Sequence, residues 1–238
     1  MEKAVYHRYI NNAEGHWWWE SRKLIFESII KKLKLKKNIN ILDYGSGSGV
    51  YLNFLSSYGK VSAYEPNEDI FNFLKSNYDE IKIYSNIEKI KNKFDIILLA
   101  DVLEHVAEPN YALQKIKTLL SNNGNIIVTV PAHQYLFSKK DILLHHYRRY
   151  SKKLLIKQLE DNNFSIDYIS YYNFFLSPII LIITLTFKYL SFDHTEVVEK
   201  KPNKFINLVL KLIFSLEKNL ISKKIKLPYG ISLIVIAK

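Results

Sequence analysis

The chain has 238 residues, 48% of them hydrophobic and 24% charged, so it can bury a substantial core and global disorder is excluded. It contains no cysteine, which excludes a disulfide framework and any thiolate metal site. A net charge of +11 would suit nucleic acid or an anionic membrane, but much of the excess is lysine scattered as in Lys31–Lys37, the pattern of a solvated helix face.

The first twenty residues read as an aromatic lead-in with no basic start and apolar core, so no signal peptide is expected. Apolar positions at helical spacing then run from Leu24 to Leu33 inside a predicted helix over 21–35. Ile39–Asp43 is a short buried strand, followed by a glycine cluster and a helix over Val50–Tyr58. Val61–Glu65, Ile81–Tyr84, Phe94–Ala100 and Asn125–Val130 read as further strands, with helices at Asp69–Tyr78 and Tyr111–Leu120 between them. This alternation predicts a parallel sheet with helices on both faces. After Pro131 come a polar His/Arg stretch, a helix at Lys152–Asp161, a strand at Phe164–Tyr172, a long apolar and basic stretch, and a last strand at Gly230–Ala237.

Asp43-Tyr44-Gly45-Ser46-Gly47-Ser48-Gly49 carries the most chemistry. A glycine turn directly after a buried strand lets backbone N–H groups approach a ligand with no side chain in the way. Glu65, one strand later, stands where a carboxylate can grip two ribose hydroxyls. Counting from Gly45, the sixth position is Val50, so the dinucleotide spacing G-x-G-x-x-G is not met. Asp43 would repel a pyrophosphate but attract an ammonium group. The phosphate loop G-x-x-x-x-G-K-[ST] is also missing, which argues against nucleotide triphosphate hydrolysis.

Residues 39–49 resemble the first motif of class I S-adenosylmethionine-dependent methyltransferases, and Glu65-Pro66-Asn67 resembles their second-strand acid. Phe94 through Val106 is similar to the fourth-strand motif of the subgroup that includes ubiquinone-biosynthesis O-methyltransferases, and Asn123-Gly124-Asn125 resembles the family's glycine turn before the fifth strand. The resemblance implies a doubly wound α/β fold: a mostly parallel seven-stranded sheet with helices on both faces, the last strand antiparallel, and a helical insertion before it. It implies S-adenosylmethionine as cofactor. Asp43, Gly45, Gly47 and Gly49 would surround its methionine part, Glu65 its ribose, Pro66 and Asn86 its adenine, with Asp101, Val102 and Leu103 lining the site. Asn86 stands where the family often has an aspartate.

Methyl transfer needs alignment above all, plus a base when the acceptor is a hydroxyl. His105, on the turn after the fourth strand, is the candidate base; its other reading is a packing or capping role. Glu104 beside it is too little for a metal site, and none is assigned. His145–Ser151 resembles an H-x-R-R-Y-S element of methyltransferases in glycan and lipid gene neighbourhoods, which puts His146 among the catalytic candidates and His133, Arg148 and Arg149 among the acceptor-binding ones. The alternative has the arginines bridging to nearby acids. His16-Trp17-Trp18-Trp19 resembles the lead-in of the same subgroup; it reads as a lid carrying Trp17 to the acceptor, or as simple packing.

The expected organisation is a lead-in over 1–38, a methyltransferase domain over 39–172 and 229–238, and an insertion over 173–228. Tyr168 to Phe187 holds no charged residue, a stretch long enough to raise a membrane span, yet its first part alternates as a strand and Pro178 interrupts the helix that follows. A second apolar run, Phe205–Ile221, carries Lys211, Glu217 and Lys218, and its flanks are rich in lysine (Lys200, Lys201, Lys204, Lys223, Lys224, Lys226). That suits a helix lying on an anionic surface, or a subdomain or dimer face. The expected enzyme is a cytoplasmic methyltransferase acting on an oxygen of a small-molecule, glycan or lipid-linked acceptor, resting at the inner membrane surface if the insertion binds it. A nucleic-acid methyltransferase or binding protein, and a non-catalytic adenosyl-binding module, are the rival classes. Asp101-Val102-Leu103-Glu104 lacks the N-P-P-Y pattern of base-modifying relatives, so nucleic acid is not the expected partner.

Overall fold

A computed structural model describes residues 12–33, 35, 38–190 and 201–238. The expectations for residues 1–11, for the lysines at 34, 36 and 37 and for Lys200 lie outside the described residues. The described residues fall into two compact units: those within 35–130, 152–169 and 234–238 make one, and those within 12–33, 131–151 and 170–233 make the other.

The first of these, the sheet unit, is built on β1 (Ile39–Tyr44), β2 (Gly59–Tyr64), β3 (Lys82–Tyr84), β4 (Phe94–Ala100) and β5 (Leu120–Pro131). With β6 (Ile166–Tyr172) and β7 (Ser232–Ala237), each mostly within the same unit, they form one seven-stranded sheet in the order β3-β2-β1-β4-β5-β7-β6. β1 pairs in parallel with β2 and β4, β2 with β3, and β4 with β5. β7 is antiparallel to β6: Ser165 and Lys238 exchange both N–H···O bonds, at 2.8 and 2.9 Å, so the start of one strand meets the end of the other. The expected topology is therefore present, with helices on both faces.

The strands read as nearly continuous apolar runs because both faces are covered; Ile96 to Leu99 and Ile126 to Val128 are all buried. β5 starts five residues earlier than its apolar run predicts. Phe94 pairs with Leu120 and Ile96 with Asn125, so Asn123-Gly124 bulges out of the ladder instead of ending it. Chain order moves outward from β1 to β2 and β3, then returns to β4 on β1's other side. That reversal opens a crevice at the carboxyl ends of β1 and β4, where this class of sheet holds ligands.

In the other unit, α1 (Trp17–Lys32) begins four residues before the predicted helix, because the His16 ring nitrogen accepts the Trp18 N–H at its start. α1 is tied to α8 (Lys204–Ser215) and α9 (Glu217–Ser222) by the hydroxyls of Ser21 and Ser28, which donate to the carbonyls of Lys211 and Lys218. Pro178 does not interrupt the apolar helix. That helix, α7 (Ser177–Leu190), starts at Ser177, so Pro178 occupies its first turn, where a missing N–H costs nothing. Among the described residues no helix is long and apolar enough to cross a membrane. Glu217, fully buried, accepts the backbone N–H groups of Asn173, Phe174 and Phe175 at 2.6, 2.7 and 3.1 Å and so fastens the chain leaving β6. Burial still pushes its carboxyl up to about 7.

Candidate functional site

In the sheet unit the candidate cofactor residues gather at the carboxyl ends of β1, β2 and β4. The glycine loop leaves β1 with Gly45, Gly47 and Gly49 all in the left-handed region, at φ 74°, 51° and 75°. The N–H groups of Gly45 and Ser46 both donate to the Tyr64 carbonyl at 2.8 and 3.1 Å, which locks the turn to the end of β2. A side chain at Gly45 would strike Val102, whereas the space beside Gly47 is open. The loop is thus fixed at one glycine and bare at the next.

Glu65 follows β2 directly and is buried; its two oxygens accept N–H groups from Gly47 at 2.9 Å and Asn67 at 3.0 Å. Those bonds aim the carboxylate without exhausting its lone pairs. Burial nevertheless raises its pKa. Asp43 is buried more severely: burial first, and the nearby Glu65 charge second, push it up to about 7. Its Oδ2 has no hydrogen-bond partner among the described residues. Two inward acids, one with an oxygen unpartnered among the described residues, thus face the candidate site.

Asp101 directly follows β4 with φ 59°, a conformation that costs a non-glycine residue about 1 kcal/mol. It is held there by Thr129 on β5, whose hydroxyl donates to Asp101 Oδ1 at 2.9 Å and whose carbonyl takes the Asp101 N–H. Val102 and Leu103 are buried beside it, and the N–H of half-buried His105 closes the turn on the Val102 carbonyl. Asn86 and Pro66 are exposed, and the Asn86 side-chain oxygen caps a short turn by accepting the Glu88 N–H.

The remaining candidates lie in the other unit. His146 and Arg149 converge on Asp141, which the sequence reading missed. The His146 Nδ1 lies 2.8 Å from Asp141 Oδ1, and the Arg149 guanidinium donates to both carboxylate oxygens at 2.8 and 2.9 Å. Despite burial, these partners hold the Asp141 carboxyl well below the usual range. Arg149 therefore bridges to an acid; the Arg148 guanidinium lies over the Tyr147 ring. Ser138 and Asp141 form a capping box, a spacing readable in the sequence as Ser-x-x-Asp. His133 stacks on Tyr229 and Tyr171 and bonds the Gly230 carbonyl at 2.9 Å. Trp17 and Trp18 both pack on Phe214, while Trp19 lies edge-on to His16, whose own burial lowers its pKa to about 4.

Residues 18–169 match the family described as a methyltransferase domain. The chain belongs to that family. By family and fold it is a class I S-adenosylmethionine-dependent methyltransferase, with S-adenosylmethionine as its cofactor. An uncharacterised protein of Methanocaldococcus jannaschii is 35% identical over 156 residues, 61% of this chain and 65% of that one. The match thus spans less than two thirds of that relative. A ubiquinone biosynthesis O-methyltransferase of Pelagibacter ubique is 25% identical over 182 residues, 60% of this methyltransferase and 75% of the relative. Among solved structures, the plantazolicin methyltransferase BamL, in complex with a triazolic desmethylPZN analog and SAH, superposes with a TM-score of 0.62 at 14% identity, covering 99% and 88% of the two chains. An S-adenosylmethionine-dependent methyltransferase from Mesorhizobium loti gives 0.58 at 13% identity, covering 95% and 99%. At such identities the shared feature is the fold.

Proposed function

We propose that this methyltransferase transfers a methyl group to an oxygen of a small-molecule, glycan or lipid-linked acceptor. The observation that carries the cofactor assignment is the buried Asp43 oxygen, without a partner among the described residues, beside an open glycine and the aimed carboxylate of Glu65. A cationic ligand rich in hydroxyls satisfies both acids, whereas a polyphosphate satisfies neither. Bound S-adenosylmethionine supplies an electrophilic methyl group on a sulfonium.

On this reading Asp43 attracts the cationic amino-acid end of the cofactor, and the bare backbone at Gly45, Gly47 and Gly49 lets it approach. Glu65 accepts the ribose hydroxyls on lone pairs that Gly47 and Asn67 leave open. Pro66 and Asn86 border the adenine, and Asp101, Val102 and Leu103 line the reacting end. His105 takes the acceptor's proton. His146, whose Nδ1 is held by Asp141, is the second candidate base, and Trp17, His133, Arg148 and Arg149 are the candidates for gripping the acceptor. Oxygen is favoured by the similarity to ubiquinone biosynthesis O-methyltransferases.

Calorimetric titration with S-adenosylhomocysteine tests the cofactor site: the wild type should bind, and Glu65→Ala should bind at least about tenfold more weakly, the cost of a lost charged hydrogen bond. Unchanged affinity would remove Glu65 from the site. Transfer of labelled methyl into lipid, glycan, nucleic-acid and protein fractions then identifies the acceptor class, and label in nucleic acid alone would overturn the reading.

A further inference from the structure

α8 is apolar on two sides. One side packs inward, where Phe214 meets Trp17 and Trp18 and the Asn207 side chain bonds the Trp17 N–H and the Gly15 carbonyl. The other side carries Phe205, Leu208, Val209, Leu212 and, just past its end, Leu216, at the three- and four-residue spacing of a single stripe. These side chains stay exposed, Phe205 at 75%, Leu212 at 56% and Leu216 at 59%. In the same unit α7 exposes Ile179 at 56% and Ile182 at 66%. Contiguous apolar exposure of this kind marks an interaction surface.

Charge identifies the occupant. Residues 201–226 contain seven lysines and one acid, Glu217, and that acid is fully buried under backbone N–H groups. Along the sequence the stripe is flanked by these lysines; among the described residues one of them, Lys211, has a carboxylate close by, Glu20 Oε2 at 3.6 Å. A second copy would bring the same lysine-rich segment against this one, like charge against like. An anionic bilayer answers both features, with hydrocarbon for the stripe and headgroups for the lysines, whose long stems let the ammonium stay at the surface. Twelve residues of helix extend about 18 Å, short of the roughly 30 Å hydrocarbon core, so α8 lies in the interface and does not cross it.

We propose that the exposed stripe of α8 is a docking surface for anionic lipid bilayers. It is independent of which acceptor is methylated. The test is co-sedimentation of the full chain with phosphatidylcholine vesicles, with and without phosphatidylglycerol. The wild type should pellet with the anionic vesicles and be released by high salt. Leu208→Glu/Leu212→Glu should weaken this at least about tenfold, and each Lys→Glu change at Lys204, Lys223 or Lys226 about fivefold. Both leucines are exposed, so these variants should keep wild-type melting temperature and S-adenosylhomocysteine affinity, which separates failure of docking from failure of the cofactor site. No salt-sensitive binding, or undiminished binding by the double variant, would overturn the proposal. So would sedimentation velocity showing a dimer that the double variant abolishes.

Discussion

Two buried aspartates, one in each unit, meet opposite fates. Asp141 is surrounded by donors: Arg149 with two bonds, His146 with one, and the Ser138 N–H, so its charge is answered inside the protein. Asp43 has a neighbouring acid instead, and an oxygen with nothing to accept from among the described residues. The first arrangement stabilises the loop after β5 by itself. The second costs stability until something positive arrives, which is what distinguishes the proposed cofactor site from an acid whose charge is already paired.

The contrast is open to attack by mutation. Asp141→Ala should cost the most, about 3–5 kcal/mol, by stranding Arg149 among buried groups, and urea titration measures it. Its low carboxyl pKa means this stabilisation is present above the unfolded value near 4 and is lost as pH falls through the folded value. Gly45→Ala should cost about 2–3 kcal/mol, combining the clash with Val102 and a left-handed backbone. Asp43→Asn should go the other way. With its pKa raised to about 7, the folded state holds a proton the unfolded state has released, so ligand-free stability falls as pH rises from about 4 to 7. Removing the charge should therefore raise stability at pH 8 while weakening S-adenosylmethionine binding. If Asp43→Asn instead destabilised the protein as Asp141→Ala does, the distinction between the two acids would fail. Gly47→Ala should show the smallest stability loss, about 1 kcal/mol, because the space is open, yet bind cofactor distinctly less well by calorimetry.

The Asp43 site was legible because its parts lie in one short stretch plus one strand: the turn needs glycine, the crevice needs an acid, and the apolar runs give the sheet. The Asp141 site was only half legible. His146 and the arginines stood out, but Lys139-Lys140-Asp141 reads as an ordinary polar loop until α5 (Lys139–Leu143) and its capping box turn the acid inward. Glu217 was visible as a charge out of place in an apolar run, yet its partners lie more than forty positions away along the chain, beyond any local pattern. Similarly, the early start of β5 depends on a register shift against β4, which apolar periodicity cannot express.

β7 has a consequence for how the chain assembles. Its place between β5 and β6 stays vacant while the whole insertion is being translated, so during synthesis two neighbouring strand edges wait on the ribosome for a late-made segment. Pairings that span such long separations slow folding. Supplying that final strand as a separate peptide is thus a direct way to ask when the sheet closes.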